Sequence, residues 1–439
     1  MERVILFGVK LLNKRGEKTG QEALNFNASM EELKLLAQTA GAQVVGIYTQ
    51  TREKPDPAYF AGKGRLTDLK LKAINLRAGT IIFDNLLKPA QQKNIEELTG
   101  LKIIDRARLI LDIFAARARS TEGKLQVELA QLNYFLPRIT ERFGRFEQQT
   151  GGIGTRGPGE KKLEVDRRRI TERITRLKKE IERLTSRRET LRKRRERNAI
   201  PVVAIAGYTN VGKSTLLNNL ARPLKTAYAD NKLFATLDPL TRIFRLDSGR
   251  QILLTDTVGF IRNLPHELID AFKSTLEEIS RANLVIHLID ISSENWESER
   301  EIATRTINSI NPELYARKKV IEVYNKADMI PPSAARAFMR NNNGKILISA
   351  KNGMGFDTLL KEIESRLFFN DETSGMKTAE FLIPYNFIKG QFLTAISNLS
   401  IIISRKFTDE GLWLKVKSSP DSIDTIRKKL EKIKLYGAD

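Results

Sequence analysis

Short apolar runs alternate with helical stretches over the first quarter of the chain. VILFGV from Val4, QVVGIY from Gln43, TIIFD from Thr80 and LKIID from Leu101 each have the length of a buried strand and are bounded by polar turns. The alternation predicts a small α/β domain over residues 1–110. Ser29, followed three residues on by Glu32, has the form of a capping box, so one helix is expected to open at Ser29 and to stop near Gly41.

From residue 111 to 200 the period changes. Leu125, Leu129, Leu132 and Leu136 are spaced four, three and four apart, as are Ile170, Ile174, Leu177, Ile181 and Leu184, which alternate four and three. Two such stripes predict a helical hairpin closed along an apolar seam. Its tip, GGIGTRGPGE from Gly151 to Glu160, is rich in Gly and Pro and is expected to be non-helical and mobile.

Residues 201–370 read as strands alternating with helices: PVVAIAG, QILLTDT, ANLVIHLIDIS, KKVIEVYNKAD and KILISA. A mostly parallel, doubly wound sheet follows. TRIFRLDSGRQILLTDT inserts one antiparallel hairpin with its turn at Asp247–Gly249. After the polar stretch DETSGMKT, residues 371–439 predict a small α+β domain with a hairpin around Gly411 and a final helix, SIDTIRKKLEKI. The fold class is therefore α/β and multidomain, with a helical hairpin after the first domain.

Charge narrows the partners. The chain of 439 residues has 75 Lys and Arg against 53 Asp and Glu, a net charge of +22, and a sequence pI near 9.9. Between Lys161 and Arg197 there are 17 Lys or Arg and 7 Asp or Glu, so the second helix of the hairpin supplies +10 of that total. A solvated coiled-coil face and an RNA-binding surface both fit; the one-sided excess favours RNA. The same stretch lacks the bulky aromatics of a membrane-surface helix, and no apolar run is long enough to insert stably into a bilayer. With no Cys there is no disulfide framework and no thiolate metal site. A cytoplasmic monomer is expected, with peripheral membrane association left open.

The candidate chemistry lies in residues 201–370. Gly207, Tyr208, Thr209, Asn210, Val211, Gly212, Lys213 and Ser214 fit G-x-x-x-x-G-K-[ST], follow an apolar strand and run through Thr215 into a helix. Backbone amides and the helix N-terminus would wrap phosphates, Lys213 would reach the β and γ phosphates, and the Ser214 hydroxyl would ligate Mg²⁺. Asp256, Thr257, Val258 and Gly259 end a strand, where the carboxylate would hold a magnesium-bound water and the Gly259 amide would face the γ-phosphate. Asn325, Lys326, Ala327 and Asp328 end another. The Asp328 carboxylate could accept from guanine N1 and N2, a donor pair that adenine lacks, so guanine is selected. Ser349, Ala350 and Lys351 come last, where amides could meet guanine O6. Between loop and acid lie Phe234, Ala235, Thr236, Leu237 and Asp238; Thr236 is the expected γ-phosphate sensor and third contributor to the magnesium shell, with Thr226 and Thr241 as neighbouring alternatives. Mg²⁺ is thus the expected cofactor of GTP and GDP.

Phe260 stands where a Ras-like pattern would place a water-orienting Gln, and Phe cannot hold water by hydrogen bonding. Slow intrinsic hydrolysis is expected, and no catalytic base is assigned. His287 lies within an apolar strand and reads as structural; His266 is undecided. GKG at Gly62–Gly64 reads as a strand–helix turn, with a second anion site as the alternative. Two other functions stay open: a GTP-dependent RNA-binding switch that does not hydrolyse, and an RNA-remodelling ATPase.

GYTNVGKST, LFATLDP, DTVGFIRNLPHELIDAF and NKAD, together with AYFAGKG, the stretch Leu111–Leu132 and GGIGTRGPGE ahead of them, closely resemble the HflX GTPases, relatives of Obg and Era. The resemblance implies docking on the large (50S) ribosomal subunit with the hairpin tip near the peptidyl-transferase centre. It also implies contacts to 23S-type ribosomal RNA, splitting of 70S ribosomes under stress, and hydrolysis stimulated by the ribosome.

Overall fold

The computed structural model describes residues 1–12, 20–143, 158–196, 200–220, 240–262, 276–317, 319–342, 344–368, 377–385, 396, 400–418 and 420–435. Its first unit has four parallel strands, β1 (Arg3–Leu11), β2 (Gln43–Arg52), β3 (Thr80–Phe83) and β4 (Lys102–Asp105), in the order β2-β1-β3-β4. Parallel strands need crossovers, supplied by α1 (Gly20–Thr39), α2 (Lys63–Asn75) and α3 (Pro89–Thr99), and α4 (Arg106–Arg117) follows β4. The sheet is covered on both faces. Val4 and Leu6 of β1 face one core with Leu33, Leu36 and Phe114, while Ile5 and Phe7 face the other with Leu66, Leu69 and Ile95. Of GKG only Gly62 precedes α2, as its N-cap, with its N–H donating to Gln50 Oε1 at 2.9 Å; Lys63 and Gly64 already lie in the first turn of the helix.

The expected capping box is not one. α1 begins at Gly20, so Ser29 and Glu32 lie inside it. Their side chains serve tertiary contacts instead: the Ser29 hydroxyl donates to Asp84 Oδ2 at 2.8 Å, and Glu32 Oε2 accepts from Arg106 Nη2 at 2.7 Å. The helix does stop before Gly41, which has φ +85°, the left-handed geometry that ends helices. Residue 110, where the sequence placed the first boundary, falls within α4, whose Leu109, Ile110, Leu111, Ile113 and Phe114 are all buried.

The hairpin consists of α5 (Thr121–Phe143) and α6 (Pro158–Glu196). Leu129, Ile174 and Leu177 are buried between them, with Leu125, Leu132, Leu136, Ile170 and Ile181 packed alongside. Arg173 adds a two-pronged bond to Glu128 across the seam, at 2.7 and 2.9 Å. Pro158, Gly159 and Glu160 open α6, which corrects the expectation that all of 151–160 is non-helical. Proline lacks an N–H and holds φ near the helical value, so it suits a first turn. Residues 151–157 lie outside the described residues.

Among its described residues the third unit carries six strands: β5 (Val202–Gly207), β6 (Leu240–Arg245), β7 (Gln251–Asp256), β8 (Leu284–Asp290), β9 (Val320–Asn325) and β10 (Ile346–Leu347). Their order is β10-β9-β8-β5-β7-β6, parallel except that β6 pairs antiparallel with β7. Helices α7 (Lys213–Leu220), α8 (Trp296–Ile310), α9 (Glu313–Ala316), α10 (Pro332–Asn341) and α11 (Phe356–Phe368) accompany the sheet. His287 sits in β8 with no exposed surface and its Nδ1 3.0 Å from the Tyr315 hydroxyl; burial pulls its pKa down to about 4, so the imidazole is neutral. The described residues of the last unit form a three-stranded antiparallel sheet, β11 (Lys377–Ile383), β12 (Ile401–Thr408) and β13 (Gly411–Ser418), with α12 (Pro420–Leu435) contributing Ile423, Ile426 and Leu430 to its core. Among the described residues no helix is long and apolar enough to cross a membrane.

Candidate nucleotide site

Four of the expected segments meet at the C-terminal ends of β5, β7 and β9 and just beyond β10, which is where open α/β sheets present ligand sites. β5 is central, and the loop leaving it turns sharply into α7. Asn210 takes φ +62°, which Asn tolerates better than most side chains, and Gly212 takes φ +96°. A Cβ on Gly212 would fall 2.5 Å from Asn325 Nδ2, so only glycine lets β9 approach the loop.

Asn325 is the hub of the site. Buried to 2% exposure, it donates from Nδ2 to the Val211 carbonyl at 2.7 Å and accepts at Oδ1 from the Ala350 N–H at 2.8 Å. One amide side chain thereby holds three sequence motifs together. Asp328 follows, itself exposed, on a 3-10 turn anchored by buried Ala327, its Oδ1 accepting from the Ser349 hydroxyl at 2.6 Å. Lys326, at φ +64°, lays its ammonium 2.6 Å from Asp290 at the end of β8. The Ala350 amide is therefore committed to Asn325, whereas Lys351 is exposed at the rim.

At the phosphate end, Lys213 is 7% exposed and donates from Nζ to the Tyr208 carbonyl at 2.7 Å. Burial lowers its pKa from 10.5 to about 8, against an opposing pull from Asp256. The Ser214 hydroxyl donates to Asp256 Oδ2 at 2.6 Å. A hydroxyl and a carboxylate so placed are the hard oxygen donors that Mg²⁺ takes, directly or through water, and the pair fits that ion. Thr257 is spent on structure, donating to the Ile205 carbonyl at 2.7 Å. Gly259 lies against the phosphate loop, since a Cβ there would stand 2.7 Å from Thr209 Cα and 2.9 Å from Lys213 Nζ. Phe260 is 7% exposed and packed in the core of this unit, consistent with a side chain that handles no water. Phe234–Asp238, Thr226 and His266 lie outside the described residues, and Thr241 Oγ1 is 3.0 Å from Thr255 Oγ1 in the β6–β7 hairpin.

Sequence reasoning missed three contributors: Asp290, which steadies Lys326; Asn219, whose side-chain amide donates to the Ala350 carbonyl; and Glu32, which accepts from the Tyr208 hydroxyl at 2.9 Å. Asp290 and Asn219 have no local signature, the spacing of Glu32 from Ser29 pointed to a helix start instead, and each partner is distant in sequence.

Three family models match the chain: GTP-binding GTPase N-terminal over residues 27–115, GTP-binding GTPase Middle Region over 117–195 and 50S ribosome-binding GTPase over 202–326. A protein of Caldanaerobacter subterraneus named GTPase HflX is 46% identical over 91% of this chain and 89% of its own length. The Escherichia coli GTPase HflX is 39% identical over 77% of this chain and 79% of its own. Among solved structures, a GTP-binding protein from Sulfolobus solfataricus in complex with GDP is 25% identical, covering 84% of this chain and 99% of its own, with a TM-score of 0.42.

Proposed function

The chain belongs to the HflX family of GTPases, and from that we propose a ribosome-directed enzyme that binds GTP and GDP between Gly207 and Lys351 and hydrolyses GTP when docked on the large (50S) subunit. Its output is a conformational change that separates 70S ribosomes. The observation that carries the nucleotide part is the Asn325 side chain, bonded at once to the phosphate loop and to the Ser349–Lys351 turn, with Asp328 presented beside it. Guanine would lie over that turn with its N1 and N2 donors on Asp328. Phosphates would sit on the amides of Asn210 to Ser214, with Lys213 turning from the Tyr208 carbonyl to meet them. Magnesium, held by Ser214 and through water by Asp256, would spread the charge of the β and γ phosphates; Thr236 is proposed to join it when GTP is bound.

The ribosomal part rests on charge and shape. Arg167, Arg168, Arg169, Arg173, Arg176, Lys178, Lys179 and Arg183 all stand exposed on α6; Arg168, Arg169, Arg173 and Arg176 also pair with Glu172, Asp166, Glu128 and Glu172, and the positive excess that remains suits the phosphates of 23S-type RNA. Purified chain sedimented with isolated large and small subunits decides the matter. Retention on the large subunit with a non-hydrolysable GTP analogue, weaker retention with GDP, and loss at high salt are expected. Equal retention in both nucleotides, or on the small subunit alone, refutes the proposal.

A further inference from the structure

The largest fully buried side chain among the described residues is that of Arg106, at the start of α4. Its Nη1 donates to Asp84 Oδ1 at 2.6 Å and its Nη2 to Glu32 Oε2 at 2.7 Å. Glu32 has a second oxygen to satisfy, and Oε1 accepts from the Tyr208 hydroxyl at 2.9 Å. The same hydroxyl accepts from the Arg262 N–H at 2.9 Å. One buried line thus runs from the N-terminal sheet into the phosphate loop and out to the backbone just past Gly259.

Apolar packing follows the same path. Val258 and Ile261 belong to the core built by Leu109, Ile113, Phe114 and Val127, not to that of the nucleotide domain. Between them, Phe260 is stitched to the phosphate loop: the Thr209 N–H donates to its carbonyl at 2.9 Å, and its own N–H donates to the Gly207 carbonyl at 3.0 Å. Gly259 and Phe260 are therefore clamped from both sides, and one clamp is made by another domain.

Interdomain adhesion alone would be served by Val258 and Ile261. A carboxylate and a phenol taken out of water cost free energy that an apolar contact does not, so their presence calls for a polar task. That task is visible in where the line ends, on a backbone amide of the segment expected to sense the γ-phosphate. We propose that Glu32 is a positioning residue of the GTPase site: acting through the Tyr208 hydroxyl, it holds the Gly259–Arg262 backbone where the γ-phosphate of GTP arrives. The proposal rests on the reading of Gly207–Ser214 as the phosphate loop. Hydrolysis in the third unit would then depend on how the first unit is seated.

The test uses the full chain without ribosomes, measuring single-turnover GTP hydrolysis and, separately, GDP affinity with a fluorescent GDP. Tyr208→Phe deletes only the hydroxyl, Glu32→Ala deletes the acceptor, and Glu32→Gln keeps a carbonyl acceptor. Tyr208→Phe and Glu32→Ala should each lower the hydrolysis rate about fivefold to thirtyfold, the range for one lost hydrogen bond that orders a reacting segment. GDP affinity should fall by a much smaller factor than the hydrolysis rate, because the Tyr208 hydroxyl is turned to Glu32 and the Arg262 N–H and binding the diphosphate does not use Gly259. Glu32→Gln should fall between wild type and Glu32→Ala. The double variant should be no slower than the slower single, since both act through one bond. A rate for Tyr208→Phe within about twofold of wild type, a faster rate, losses that add in the double variant, or a matching loss of GDP affinity would each overturn the proposal. Should Glu32→Ala fail to fold, Tyr208→Phe decides alone, because it leaves the Arg106 pairs intact. Wild-type chain that does not bind GDP would instead refute the phosphate-loop reading itself.

Discussion

Replacing Asn325 by Ala tests the hub directly. The side chain is 2% exposed and makes bonds of 2.7 Å to the Val211 carbonyl and 2.8 Å from the Ala350 N–H. Alanine leaves both backbone groups without those partners in a site too closed for easy hydration. At about 1–3 kcal/mol for each unsatisfied buried group, the loss is about 2–6 kcal/mol, a large part of the roughly 5–15 kcal/mol that holds a domain folded. Asn325→Asp is the informative contrast. It keeps an acceptor for Ala350 but turns a carboxylate oxygen toward the Val211 carbonyl, so only the link to the phosphate loop is broken. Calorimetric melting should show the GDP-responsive transition lowered in both variants. GDP titration should show affinity down by about tenfold or more in each, corresponding to about 1.4 kcal/mol or more. If Asn325→Ala melts with wild type and binds GDP equally well, the three motifs are not held by this residue and the reasoning fails.

Two further outcomes follow from the same geometry. Asp328→Asn should weaken GDP binding by about a hundredfold while improving binding of xanthosine diphosphate, whose 2-oxo group can accept from an amide where guanine offers a donor; unchanged preference for guanine would remove Asp328 from the base site. Lys213 gives a pH signature, because its pKa in the free protein is about 8 and an arriving phosphate favours the ammonium form. Below that value the lysine is already charged and GDP binding is at full strength. As pH rises through it, binding must take up a proton and weakens. Isothermal calorimetry near that value should therefore give binding enthalpies that change with the ionisation enthalpy of the buffer, and a buffer-independent enthalpy would count against the assignment. In stability the sign is opposite: the cost of a buried ammonium is fully present below about 8 and is relieved as pH climbs toward the unfolded value of 10.5.

The elements and the local motifs were readable because their causes are local. Alternating apolar runs specify β1 to β4, and the loop around Gly212 needs glycine where it stands. The turn at Gly249, with φ +82°, closes the β6–β7 hairpin where the sequence placed it. Glu32 shows the limit. Its spacing from Ser29 is that of a helix start, yet its surroundings are set by Arg106 and Tyr208, which no local window contains. Tyr208 is similar: the phosphate-loop pattern allows any residue at that position, and only the packed domains reveal that the phenol is buried and bonded twice. The role of Asn325 was half legible. The motif marked it as part of a guanine site, while its two backbone partners emerged only once β5, β9 and the Ser349–Lys351 turn were side by side.

The length of α6 has a mechanical consequence. Its 39 residues form a rod of roughly 58 Å, at about 1.5 Å per residue. One end begins at Pro158, beside the Gly-rich segment, and the other leads within a few residues to β5, the strand that ends at Gly207. A tilt of about 5° at the lower end of a rod that long sweeps the far end through about 5 Å. Leverage of this kind would let a shift too small to disturb the packing around the nucleotide become a displacement as wide as a side chain at the opposite extremity.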